Sequence, residues 1–121
     1  MATFLKTELS GSTDGRPVLV VATSGSGTLM HTATTTAGYG DYDEVYLWAT
    51  SSSTSPQGLS LQWGGTTYPD DHIRTVVPAS GGGPVCIAPG LVLQNALVAR
   101  ATAETASVIS IFGFVNRIVG P

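Results

Sequence analysis

The chain has 121 residues, 15 of them glycine, with five basic and eight acidic side chains and a formal net charge of -3. That length suits one domain with a real core and is too short for two. The basic residues Lys6, Arg16, Arg74, Arg100 and Arg117 are scattered, so there is no electrostatic footprint for nucleic acid. Charged residues make up 11% of the chain, against roughly 25% in ordinary globular proteins, which suits a surface largely covered by neighbours.

Read in order, Met1 to Arg16 carries an apolar pair at Phe4 and Leu5 and then turns polar through Ser10, Gly11, Ser12, Thr13 and Asp14. With little to bury, residues 1–16 read as an N-terminal arm that frays or reaches a neighbouring subunit. Pro17 to Ala22 is a valine-rich strand, Ser24 to Gly27 a turn, and Thr28 to Ala33 a second extended run. A longer loop follows from Thr34 to Asp41. Tyr42 to Thr50 alternates strictly, with Val45, Leu47 and Ala49 on one face and Glu44, Tyr46, Trp48 and Thr50 on the other. Large side chains on both faces predict that one of them meets another sheet or another subunit.

Ser51 to Gln57 is a loop. In the next strand Leu59, Leu61 and Trp63 point one way while Ser60 and Gln62 point the other, and Gly64-Gly65 ends it in a turn. Tyr68 and Pro69-Asp70-Asp71 complete a polar loop before the strand Ile73 to Val77. Ser80 to Pro84 is a glycine corner, and Val85 to Leu93 reads as strand, Pro89-Gly90 kink and strand. Ala96 to Thr102 has alanines that permit a helix, but its alternation favours a strand. Ser107 to Ile118 is a long final strand, in which Gly113 suggests a bulge or bend. The sum is about eight or nine short strands separated by Gly, Pro and Ser, the pattern of an all-β, antiparallel β-sandwich or barrel of jelly-roll or Greek-key type. Residues 17–121 form that single domain.

Signals for catalysis are weak. His31 and His72 sit in alternating strands and read as surface histidines, and there is no G-x-S-x-G nucleophile elbow. The single cysteine, Cys86, lies between Val85 and Ile87 and reads as a buried thiol. It shows no metal-ligand spacing with the histidines. Asp41, Asp43 and Glu44 partly resemble alternate-residue Ca²⁺ ligation, but the remaining loop ligands are missing, so these and Asp70 and Asp71 read as solvated turn carboxylates. The glycine-rich turns lack the lysine and helix start of a phosphate loop. No catalytic residue, cofactor or metal is assigned, and an enzyme is not expected. Trp48 and Trp63, with Tyr39, Tyr42, Tyr46 and Tyr68, keep a carbohydrate- or receptor-binding module as the alternative. No apolar run approaches the ~18 residues of a membrane span. The first residues lack the long apolar core of a signal peptide, so the chain is expected to be cytosolic when made.

The run VYLWATSSSTSPQGLSLQWGGTTYPDD, followed by TVVPASGGGPVCIAPGLVLQNALVARATAETASVISIFGFVNRI, resembles small virion proteins of tailed bacteriophages. It is similar to the β-sandwich decoration or cement proteins of phage heads, with neck, tail and fibre components as neighbouring roles. The resemblance implies a non-enzymatic subunit of the capsid surface, made in the host cytoplasm, that binds the major capsid protein and commonly assembles as a homotrimer. It implies no nucleic-acid and no membrane partner. For such a role Tyr46, Trp48 and Phe112 are the candidate trimer contacts, since aromatic anchors dominate interfaces. Phe4 and Leu5, within the arm, are candidates for the shell contact, where an extended segment adds a strand to a sheet edge.

Overall fold

A computed structural model describes residues 3–35 and 41–120. These contain nine strands and no helix: β1 (Thr3–Glu8), β2 (Val18–Leu19), β3 (Thr28–Thr32), β4 (Tyr42–Ser51), β5 (Gln57–Trp63), β6 (His72–Val77), β7 (Val85–Leu93), β8 (Val98–Ala103) and β9 (Ile109–Val119). They form two antiparallel sheets. Sheet A has the order β1-β9-β4-β7, with the short β2 also on β9; sheet B has the order β3-β8-β5-β6. With β2 set aside, this is the strand order of a jelly roll, in which the chain passes back and forth between two facing sheets. The two sheets remain separate, so the molecule is a sandwich and not a closed barrel.

The core lies between the inner faces. Val45, Leu47 and Ala49 of β4 join Ile109, Ile111 and Val115 of β9 against Leu59 and Leu61 of β5 and the alanines of β8. Within sheet B, large residues stand beside small ones: Leu59 opposes Ala103, Leu61 opposes Ala101 and Trp63 opposes Ala99. That alternation fills the space without crowding the facing sheet. The alternation expected for β4 is present over its whole length, with Tyr46 and Trp48 half-exposed on the outer face.

The N-terminal segment departs from expectation. Residues 3–8 are not an arm but a strand of the protein's own sheet, paired with β9 in continuous register from Thr3↔Val119 to Glu8↔Phe114. The reason lies in β9: β4 covers one of its edges, and the other would expose a row of unpaired backbone groups. Leu9, just beyond β1, is fully buried and anchors the return of the chain. After β2 the chain crosses between sheets: Val20 N–H donates to the Ile109 carbonyl, and the Ala22 carbonyl accepts from Ala103 N–H.

Gly113 is not a bulge. The β4–β9 register runs unbroken through it, opposite Leu47, and a Cβ there would overlap the Tyr46 carbonyl oxygen. The irregularities fall elsewhere. The β3–β8 register shifts between Leu29 and His31, and the β4–β7 register shifts twice, around Ile87 and Gly90. Each shift turns the following side chains to the opposite face. The loop expected at Thr34 to Asp41, including Tyr39, lies largely outside the described residues.

Candidate functional site

Three features are candidates, and each is built from the strand faces. The first is the outer face of sheet A. Cross-strand pairing sets Tyr46 opposite Phe114 and Trp48 opposite Phe112, so four aromatic rings stand in two neighbouring rows. Tyr46 stacks on Phe114 at 4.8 Å between centroids, and Trp48 lies near-parallel to both Phe112 and Phe114 at 6.3 and 6.1 Å. The Lys6 ammonium sits 4.3 Å from the Phe114 centroid, a cation–π contact. Gly90 closes over the far side of the Tyr46 ring, where a Cβ would come within 3.0 Å of the phenol. Beside these rings, Gly15 and Pro84 help to frame an apolar cleft of about 440 Å³ lined by Trp48, Phe112 and Phe114.

The structure thus brings Tyr46, Trp48 and Phe112 together, as the sequence suggested, and adds Phe114, whose pairing with Tyr46 is a matter of tertiary register. Phe4 is 75% exposed and Leu5 about half exposed, both on the outermost strand of the sheet. Tyr46 and Phe114 stack on each other, while Trp48, Phe112 and Phe114 line the cleft. Trp63 is likewise engaged: its indole N–H donates to the Val92 carbonyl at 3.2 Å and its ring packs on the core.

The second feature is a buried ionic clamp between the sheets. Asp43, expected to be solvated, is fully buried on the inner face of β4. Its carboxylate accepts two bonds from Arg117, one from His31 Nε2 at 2.7 Å and one from the Thr34 N–H at 3.1 Å. His31, expected at the surface, is buried because the register shift at Leu29/His31 turns both Met30 and His31 inward. Its Nδ1 accepts from the Ser10 N–H at 3.0 Å, so the neutral ring carries its proton on Nε2. Burial lowers the His31 pKa, against the pull of Asp43. Burial alone would raise the Asp43 carboxyl, but the Arg117 and His31 bonds outweigh it and hold it below the usual carboxylate value. Because both ring nitrogens of His31 are occupied, the pair cannot serve as a base for a nucleophile. Asp41 is also buried, its Oδ1 accepting from Gly120 N–H at 2.7 Å. Neither aspartate is the solvated turn carboxylate the sequence suggested.

The third feature is a groove on the outer face of sheet B, bordered by the Ser24 to Ser26 turn and by Thr66 and Tyr68. Here His72 Nε2 donates to the Thr66 carbonyl at 3.3 Å, and its Nδ1 accepts from the Ser60 hydroxyl at 2.8 Å. The period of two puts Ser60 and Gln62 on one face but does not reveal this groove, because its lining comes from three strands and four loops. Cys86, expected to be buried, is exposed; it lies opposite Trp48, where the shift at Ile87 leaves it on the outer face of sheet A. Among the described residues no cluster of three or more His, Cys, Asp or Glu side chains is placed to hold a metal ion. No family model, no curated protein and no solved structure matches this chain.

Proposed function

We propose that this protein is a non-enzymatic structural subunit that assembles through the outer face of sheet A, in the head-decoration role that its resemblance to phage cement proteins implies. The observation that carries the reading is the juxtaposition, on one sheet, of an apolar cleft walled by Trp48, Phe112 and Phe114 with the protruding Phe4. A cleft and an exposed aromatic on the same subunit are a hole and a knob for two copies of one chain, and aromatic anchors in pockets supply most of the energy of such contacts. The scarcity of charge fits a face that loses water on assembly. Jelly rolls recur in viral capsid domains, an analogy of fold that agrees with the reading without carrying it.

In this role the partners are further copies, as a trimer, and the major capsid protein, and the protein resides on the capsid surface. The mechanism is linkage. A subunit that binds only the assembled shell stabilises that shell by mass action, and several simultaneous contacts add avidity. No bond is made or broken.

The test is the solution mass by light scattering, followed by co-sedimentation with expanded, undecorated phage heads. The expected result is a mass about three times the 12.4 kDa of one chain, reduced to that of one chain by Trp48→Ala or Phe4→Ser with the β-sheet circular dichroism retained. A monomer at every concentration would reject assembly through this face. A trimer that ignores heads would reject the decoration role.

A further inference from the structure

The groove on sheet B has a volume of about 800 Å³ and faces away from the proposed assembly surface. That volume falls within the roughly 300–1,000 Å³ of small-ligand sites. From its chemistry we infer that it binds a short segment of a neutral oligosaccharide.

Both walls are held in place before any ligand arrives. On one side the Gln62 amide, almost fully buried, grips the glycine-rich turn: Oε1 accepts from Gly27 N–H and Nε2 donates to the Gly25 carbonyl, both at 2.7 Å. On the other side Asp71 secures the loop that carries Tyr68, its Oδ2 accepting from Thr67 N–H at 3.1 Å and its carbonyl accepting from Trp63 N–H at 2.7 Å. A groove ordered in advance loses little entropy on binding.

The groups turned into it are matched to vicinal hydroxyls. The Arg74 side chain makes no hydrogen bond or ion pair with any described residue, so its planar fork of donors is free for a ligand. Glu104 accepts from Gly58 N–H through Oε1, which leaves Oε2 as an acceptor. Ser60 spends its proton on His72 and keeps its lone pairs. Tyr68 is 63% exposed and meets the His72 ring edge to face, so an aromatic surface stands open at the rim for the C–H face of a sugar. One guanidinium and one carboxylate balance, so the site offers no excess charge to a phosphate or an acidic polymer. Its lining mixes polar side chains with Val76 and Pro56, so it offers no continuous apolar pocket to a peptide side chain. Donors, acceptors and a single open ring are the complement of a neutral, polyhydroxylated chain.

The test is a printed array of neutral oligosaccharides, followed by calorimetric titration of any glycan bound. Parallel runs use Tyr68→Ala and Arg74→Ala, both at solvent-facing positions. The expected result is saturable binding of at least one neutral glycan. Each variant weakens it by about tenfold or more while keeping the parent's melting temperature and solution mass. Absence of binding across the array, selection of acidic glycans only, or binding that both variants leave unchanged would overturn the inference. The outcome is separate from that of the assembly reading: a monomer that binds glycan through Tyr68 sustains this site, and a trimer that binds none removes it.

Discussion

Asp43 and Arg117 face each other across β4 and β9, and the guanidinium closes on the carboxylate with two bonds, Nε to Oδ1 at 2.8 Å and Nη2 to Oδ2 at 2.9 Å. Both residues belong to sheet A, while the third partner, His31, belongs to sheet B. The cluster therefore ties the two sheets together at one end of the sandwich. It does so with a fully buried anion, whose desolvation is offset only while all its donors are present.

Asp43→Asn keeps the size of the side chain and removes its charge. The variant is expected to lose about 3 kcal/mol of stability, because Arg117 and the His31 N–H are left without their anion. Urea unfolding would show a lower midpoint with an unchanged slope. A midpoint within the error of the parent would mean that the clamp contributes nothing net.

The same cluster sets a pH dependence. In the fold the His31 pKa lies below its ordinary value of 6.5. Below about that pH the unfolded chain therefore binds a proton that the folded one does not, and the unfolding free energy falls as pH falls. Stability from His31 is fully present above pH 6.5 and is lost progressively under it. Asp43 adds to the loss only in stronger acid, since its contribution is complete above its ordinary value of 3.8 and disappears as pH drops through its lower folded value. Urea midpoints between pH 8 and pH 5 would show the decline, and His31→Gln would flatten it. An equal decline in the variant would assign the effect to other groups.

Gly113→Ala tests the close approach of β4 to β9. The added methyl group would meet the Tyr46 carbonyl, a backbone atom that cannot swing away. The two central strands of sheet A must then part, at an expected cost of about 2–3 kcal/mol. A thermal melt of the variant measures it; an unchanged melting temperature would show that the sheet yields without penalty.

Cys86 reports on the assembly face. Being exposed on the edge strand β7 and opposite Trp48, it is expected to react with a thiol reagent in the native protein without denaturant. If sheet A packs against a second copy, the rate should slow as protein concentration rises and recover in Trp48→Ala. A thiol that reacts only after unfolding would contradict the placement of β7.

Much of this architecture is legible in residue order. The period of two in Tyr42 to Thr50 puts Val45, Leu47 and Ala49 on one face and Tyr46 and Trp48 on the other, and the structure keeps that division, turning the first face to the core. Alternation is a local property, set by the pleat of a single strand, and it needs no knowledge of partners. Two of the misplaced residues share one cause. His31 and Cys86 both lie beside register shifts, where one extra residue in a strand reverses the faces. A bulge depends on the neighbouring strand, so a strand read alone does not reveal it.

Composition, turn chemistry and alternation by themselves determined that this chain is an all-β domain with a weakly charged surface, and that Tyr46 and Trp48 share one face of a strand. Those properties are local and survive any choice of partner. Only the tertiary structure decided the rest. It made residues 3–8 a strand of sheet A, buried Asp43 between Arg117 and His31, and gathered Ser60, His72, Tyr68 and Arg74 around one groove. Each of these joins positions distant in sequence, and their meeting depends on which strands pair and in what register, which is settled by the free energy of the whole sandwich.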